Sequence, residues 1–454
     1  MKDNNHHIES NSEKELGNGI FVFEMNNTSL SSNKLQTSDR SIHDWYRFVL
    51  SFPPHLVRQY LERFNITTDK IVLDPFCGTG TTLVECKKNG IPSVGIEANP
   101  MAYFASKVKV DWMPFPSALL EHAQKIAAET IKNLRSDGLS DLTFFNSIDK
   151  LDGRFKKLSL EQFKLLLRNS ISQIPLHKIL SLKDCLNRRR DERFIQHEML
   201  TLAKTAVESA SNLHFGPEVG VGKPKDDAAV VQPWLNNIKS MAQDLDGELE
   251  YPQVSSKVFL ADARNLRGII EPRTIDFVFT SPPYPNEKDY TRTTRLESVL
   301  LDFIKTKADL RCLKKSLIRS NTRNVYKGDD DDRFIEQHFE IQRIAKAIET
   351  RRKELNKTSG FERMYARVTK LYFGGMARHF EDLKNILKPG AYLAYVVGDQ
   401  ASYLRVMIRT GQLLADIAKS LGYHIIGIDL FRTRFATATQ EQLREEVVLM
   451  QWKG

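Results

Sequence analysis

Cysteine is scarce in this chain and long apolar runs are missing, and each absence removes a class of protein. Four cysteines (Cys77, Cys86, Cys185, Cys312) in 454 residues make no disulfide framework and suit a reducing compartment such as the cytoplasm. No CxxC pair exists and the histidines do not cluster with cysteines, so the sequence offers no metal site. Nothing approaches the run of about 18 apolar residues that a membrane span needs. The opening MKDNNHHIESNSEKELGNG has no apolar core, so it does not read as a secretory signal, and His6-His7 reads as tail. Internal repeats are also absent.

What is present is a globular composition, 41% hydrophobic and 27% charged. The length suits one large domain carrying insertions, or two to three smaller domains. The net charge of +9 is compatible with a polyanionic partner, because phosphate contacts supply the sequence-independent part of nucleic-acid affinity. A generic basic surface would give the same number.

Residues 1–40 are rich in Asn, Ser and Lys and read as a polar N-terminal arm, mobile or lightly packed. Order is expected from Ser41-Ile42-His43-Asp44-Trp45-Tyr46. Pro54 to Phe64 has helical apolar spacing, Lys70 to Leu73 reads as a buried strand, and TTLVECKKNG as a helix ending at Gly90. Strand Ser93–Glu97 and a helix from Asn99 to about Val110 follow. This alternation predicts an α/β fold with a doubly wound, mostly parallel sheet. Residues 113–254 break the rhythm with a helical insertion, including a loop-like Gly/Pro stretch at 215–227. Strands resume at 256–260 and 274–280, a second helical insertion spans 295–385, and strands at 391–397, 424–430 and 446–450 flank a helix at 411–421. The domain reading is therefore 41–112 plus 255–454, interrupted by 113–254 and, internally, by 295–385.

Two motifs carry chemistry. Asp74-Pro75-Phe76-Cys77-Gly78-Thr79-Gly80-Thr81-Thr82 sits between a strand and a helix. Gly78 and Gly80 permit a tight turn and close approach of a ligand, at the strand end where open α/β sheets bind ligands. It has neither the GKS or GKT of a phosphate loop nor the GxGxxG of dinucleotide sites. Glu97 ends the next strand, where a carboxylate can accept from both hydroxyls of a ribose; taken alone, a glycine turn beside a surface glutamate is the plain alternative. Ser281-Pro282-Pro283-Tyr284 follows the apolar strand IDFVFT. Its two prolines remove backbone donors and leave outward carbonyls. Acceptors at Ser281 and the Pro282 carbonyl suit an exocyclic base amine, whose lone pair must be freed from the ring to attack a sulfonium methyl. Tyr284 offers a stacking surface, and a base inside a duplex must be flipped out to reach it. A proline-rich turn is the plain alternative here.

Together the two motifs resemble those of the DNA amino-methyltransferases, which make N4-methylcytosine or N6-methyladenine. The resemblance covers roughly 45–112, 255–300 and 375–452. It implies a class I, Rossmann-like methyltransferase fold. It also implies S-adenosylmethionine held by Asp74, Pro75, Phe76, Gly78, Gly80 and Thr81, with Glu97 on the ribose and Asp262, in Ala261-Asp262-Ala263-Arg264-Asn265, on the adenine. Ser51-Phe52-Pro53-Pro54-His55-Leu56-Val57 resembles the segment near the cofactor's methionine end. Ser281, Pro282, Pro283 and Tyr284 would be catalytic on double-stranded DNA with the target base flipped out. SPPY is commoner among N4-cytosine enzymes, and a cognate restriction endonuclease is a candidate partner. The cofactor motif comes first, as in the family's alpha-type order, which makes 113–254 the candidate target-recognition region. This insertion starts before the adenine-contacting strand, however, where the family places it after. Methyl transfer would be direct, resting on orientation and polarisation of the amine, with no metal and no covalent enzyme intermediate.

Other residues bear on rivals. No cysteine follows a proline, which disfavours cytosine-C5 chemistry, and Cys77 reads as packing. Arg188-Arg189-Arg190 and Arg193 are phosphate-grip candidates or a solvated helix face. Asp329–Asp332 reads as a mobile acidic loop, lacking the spacing of a calcium loop. Tyr290, Arg292 and Arg295 are candidates for the base pocket or for DNA contact, with surface placement as the alternative. An adenine-N6 enzyme, a tRNA or rRNA base N-methyltransferase and a non-catalytic nucleic-acid-binding protein on the same fold are the competing readings. The 73 residues ahead of Asp74 leave little room for the RNA-binding domain usual in the second. Intact glycines and an intact tetrapeptide count against the third.

Overall fold

The structure, a computed structural model, describes residues 13–15, 21–24, 35–47, 51–142, 155–216, 218–248, 254–436 and 440–454. Two short strands, β1 (Glu13–Glu15) and β2 (Phe21–Glu24), lie in the stretch read as a polar arm. There follow α1 (Pro54–Arg63), β3 (Val72–Asp74), α2 (Thr81–Lys88), β4 (Ser93–Glu97) and α3 (Pro100–Lys109). Prolines open α1 and α3, where the missing N–H has no helical partner to lose. The Asn99 side chain caps α3 by accepting from the Met101 N–H at 3.0 Å.

The first insertion holds α4 (Pro116–Ser136), α5 (Leu160–Leu165), α6 (Gln173–Arg188), α7 (Ile195–Thr205), a hairpin of β5 (Leu213–Phe215) and β6 (Val219–Val221), and α8 (Val231–Gly247). The start of the Gly/Pro stretch is thus a hairpin, not a plain loop. Next come β7 (Ser256–Leu260), β8 (Ile275–Thr280), α9 (Tyr290–Thr293), α10 (Arg295–Leu300), α11 (Lys307–Ser316), α12 (Phe339–Glu354) and α13 (Tyr365–Leu383). The chain closes with β9 (Leu387–Gly398), α14 (Thr410–Ser420), β10 (His424–Ala436) and β11 (Glu441–Gln451).

Nine strands form one sheet in the order β1-β2-β10-β11-β9-β8-β3-β4-β7. β3 runs parallel to both β4 and β8, β4 to β7, and β8 to β9, while β11 is antiparallel between β9 and β10. This is the doubly wound α/β sheet of a class I methyltransferase. From β3 the chain steps outward to β4 and β7, then crosses back to β8. The strand order therefore reverses between β3 and β8, and the crevice at their carboxyl ends is the expected ligand site.

Alternation along the strands divides the core. Val72, Phe277, Phe279, Val396 and Leu449 pack under Leu56, Val57 and Tyr60 of α1. Leu73, Val278, Tyr395 and Val397 face the other way, onto Val368, Phe373 and Phe380 of α13 and Leu414 of α14. Each such large side chain contributes about 1.5–3 kcal/mol on burial. The insertion helices α4, α6, α7 and α8 gather around Trp234, and their core continues into Leu83 and Phe104 on α2 and α3. No helix among the described residues is long and apolar enough to cross a membrane.

The acidic run departs from its expected mobility. Asp329 accepts from Arg319 at 2.8 and 2.9 Å, and Asp331, buried, pairs with Arg264 and with Arg378 at 3.3 Å. The segment begins a short 3-10 helix against α13, where a Cβ on Gly374 would lie 2.0 Å from the Asp331 carbonyl oxygen. Arginines distant in sequence neutralise these carboxylates, so repulsion does not expand the loop.

Candidate active site

β3 ends at Asp74 and the chain turns through Gly78 (φ +52°) and Gly80 (φ +86°), both in the left-handed region. A Cβ on Gly80 would also meet the Ser106 Cβ at 3.0 Å. Asp74 is fully buried: Oδ1 accepts from the Thr280 hydroxyl at 2.6 Å and the Phe76 N–H at 3.1 Å, and Oδ2 from the Thr82 hydroxyl at 2.7 Å. One carboxylate thereby ties the end of β3 to the end of β8 and to the first turn of α2. Burial pushes its pKa up to about 6 against those three donors.

Glu97, at the end of β4, accepts from the Gly78 N–H at 2.9 Å through Oε2 and from the Asn99 N–H at 2.7 Å through Oε1. Its pKa is pushed up to about 7 by burial. The side chain still faces the crevice, with lone pairs left for a further donor. Asp262 also faces it, held by a bidentate pair with Arg264 at 2.6–3.2 Å and by the Arg264 backbone N–H at 2.9 Å. Arg264 is itself buried and reaches Asp331 and the Lys315 carbonyl, so the second insertion braces this edge.

After β8 the Ser281 hydroxyl donates to the Val396 carbonyl at 3.0 Å. Its proton is thus committed, and its oxygen is left as an acceptor. The Tyr284 N–H donates to the Tyr290 hydroxyl at 3.3 Å, and burial raises both phenol pKa values. Beneath the crevice, His379 holds Phe76 edge-on with ring centroids 5.0 Å apart. Its Nδ1 lies 2.7 Å from the Ala263 carbonyl and must donate, so Nε2 accepts from the Tyr395 hydroxyl at 2.6 Å. Burial lowers this imidazole to about 4, so it is neutral near pH 7.

One cavity of about 340 Å³ is lined by both motifs. Pro75, Phe76, Gly78, Thr81, Glu97, Asp262, Ser281, Pro282, Pro283 and Tyr284 all stand on its wall, as do Ser51 and Phe52. Asp74 and Gly80 stand behind it, the first as a tie and the second as the packing seat of α2 on α3. Tyr290 joins the wall, but Arg295 does not: it is buried, and its guanidinium donates to the Thr291 carbonyl and hydroxyl and the Leu165 carbonyl. Arg188 and Arg189 pair with Glu129, Arg190 with Glu192 and Arg193 with Asp191, forming the solvated, mutually neutralised face. Cys77 is a buried free cysteine at the turn, on the cavity wall.

The motifs did not reveal the far wall. Phe431, Arg432, Arg434 and Glu445 line it from the β10–β11 hairpin, Lys288 from the loop after the tetrapeptide, and Leu317, Ile318 and Ser320 from the second insertion. Arg432 grips Glu445 with two bonds of 2.6 and 2.9 Å. The only sequence signal was arginine alternation along 432–434, which any exposed strand can show.

The fold is that of the class I methyltransferases, and the crevice at its strand ends brings both motifs into one cavity. Residues 3–107 match the family described as DNA methylase. The chain is similar to the Type II methyltransferase M.BsoBI of Geobacillus stearothermophilus, 26% identical over 91% of this chain and 84% of the relative. M.AvaI of Anabaena variabilis is 23% identical over 91% and 84%, and M.MjaII of Methanocaldococcus jannaschii 25% identical over 58% and 62%. In these comparisons the chain is similar to DNA methyltransferases.

Proposed function

We propose that this enzyme transfers a methyl group from S-adenosylmethionine to cytosine N4 in a specific sequence of double-stranded DNA, in the cytoplasm. The observation that carries the reading is the single cavity shared by the Gly78 turn and Ser281–Tyr284. Its donor set fits the cofactor: the Glu97 carboxylate suits a ribose diol, Phe76, Ile96 and Ala261 give apolar walls, and Asp262 supplies an acceptor for an amino group. When bound, S-adenosylmethionine supplies a methyl group activated on sulfur. Ser281 Oγ and the Pro282 carbonyl accept from the target amine and hold its nitrogen lone pair out of conjugation. Tyr284 gives the flipped base a ring to stack on. Orientation and polarisation of the amine supply the rate enhancement.

Cytosine is favoured over adenine by the cationic wall. On the Watson–Crick edge that carries the amine, cytosine presents two acceptors, N3 and O2, and adenine one, N1. Lys288, Arg432 and Arg434 place three donor side chains on that wall. The names of the relatives support a place beside a restriction endonuclease. Residues 113–254 are the candidate target-recognition region, and 295–385 completes the cavity at 316–320.

Incubation with methyl-labelled S-adenosylmethionine and either plasmid DNA or bulk RNA, followed by nucleoside analysis, tests the proposal. It predicts N4-methylcytosine from DNA. N6-methyladenine would favour the adenine reading, label confined to RNA the RNA reading, and no cofactor binding in calorimetry the non-catalytic one.

A further inference from the structure

The β10–β11 hairpin does more than line the cavity. β11 is flanked by β9 only as far as Glu445, opposite Gly398, with one more bond from the Asp399 N–H to the Arg444 carbonyl. Beyond that point, among the described residues, Arg434–Leu443, Phe435–Gln442 and Ala436–Glu441 pair as strands only with each other, and the Gln442 carbonyl also accepts from the Arg409 guanidinium at 3.3 Å. Leu443 is still buried, so the last two pairs, at about 3.4 Å each, carry the two-stranded ribbon about 7 Å past the packed edge. It leaves from the cavity wall, because Arg432, Arg434 and Glu445 belong to both.

This ribbon sets an exposed aromatic ring beside a cation. Phe435 is 61% exposed, one residue beyond the cavity-lining Arg434. Arg434 is half-exposed, and its guanidinium stands 3.9 Å from Glu445, at the limit of an ion pair. An aromatic ring held in water next to a loosely paired cation, on a narrow projection, matches the apolar wedges that enter between base steps while cations hold the phosphates.

We propose that Phe435 is a positioning residue that enters the DNA stack beside the flipped target base, with Arg434 on the adjoining phosphate. This inference rests on the proposed base-flipping reaction. The ring would compensate for the stacking lost when the base leaves the helix and so favour the extrahelical state. It touches neither the reacting nitrogen nor the cofactor.

The test compares Phe435→Ala with the wild type on two duplexes, one with the target base paired and one with it mispaired. Unstacking is easier for a mispaired base. The expected result is a fall of about tenfold or more in kcat/KM on the paired duplex, from loss of one stacking contact. The defect should shrink severalfold on the mispaired duplex, and Phe435→Trp should restore the paired rate. An equal loss on both duplexes, or no loss on either, overturns the wedge. Wild-type enzyme that methylates neither duplex overturns the underlying reaction instead. Because the side chain is largely in water, both variants should unfold at the wild-type denaturant midpoint.

Discussion

Replacing Asp74 separates the two jobs of its carboxylate, accepting three hydrogen bonds and carrying a buried charge. In Asp74→Ala the Phe76 N–H and the Thr280 hydroxyl lose their acceptor, whereas the Thr82 hydroxyl can turn to the Phe279 carbonyl at 3.4 Å. Two bonds to a charged group are worth about 1.5–3 kcal/mol each. Relief of the buried charge offsets part of this: the pKa rises from 3.8 to about 6, so ionisation opposes folding by about 3 kcal/mol. The two donors left unpaired in the interior add a further cost of about 1–3 kcal/mol each. Asp74→Ala should therefore lose about 2–9 kcal/mol at pH 7.5, whereas Asp74→Asn, which keeps an acceptor and drops the charge, should lose far less. The sign of the pH dependence follows from the raised pKa. This group's contribution is fully present below about pH 4 and is lost as pH rises through about 6. Asp74→Asn should thus gain on wild type between pH 4 and 7. Urea unfolding of the three proteins at pH 4.5, 6 and 7.5 measures both effects. An alanine variant as stable as wild type, or an asparagine gap constant with pH, would refute the tie between the two strands.

Other substitutions probe the cavity itself. With Glu97 near 7, S-adenosylmethionine should bind about tenfold more tightly as pH rises from 6 to 8, and Glu97→Gln should flatten that dependence in calorimetry. Asp331→Ala leaves Arg264 with Asp262 as its remaining carboxylate partner, so stability should fall by about 2–4 kcal/mol and the cofactor Kd should rise. Tyr284→Phe should keep most activity, whereas Tyr284→Ala, losing the stacking surface, should drop kcat/KM by about 10- to 100-fold. Ser281→Ala removes an acceptor from the amine and should lower kcat by about 10- to 100-fold with cofactor affinity unchanged in equilibrium dialysis.

Contiguous strings made part of this molecule legible. The strand-turn-helix chemistry around Gly78 and Gly80 and the strand ahead of Ser281 are local, so composition and periodicity revealed them with their boundaries nearly right. Asp74 reads from sequence as a ligand contact, yet its three short bonds make it a brace behind the wall. That distinction depends on Thr280, which is 206 residues away. The acidic run misled for the same reason: Arg264, Arg319 and Arg378 neutralise it, and nothing near 329–332 announces them. The hairpin wall was hidden because its residues alternate along two strands and meet only through strand pairing and a bulge between Leu430 and Arg432.

A crystal structure with target duplex and a non-transferable S-adenosylmethionine analogue is the most direct measurement of the central claim. The analogue's ribose should sit on Glu97 and a flipped cytosine should place its N4 at Ser281 and the Pro282 carbonyl, the two facing each other within this one cavity. An analogue seated away from the Gly78 turn, or a base held in a pocket that Ser281–Tyr284 do not line, would contradict it.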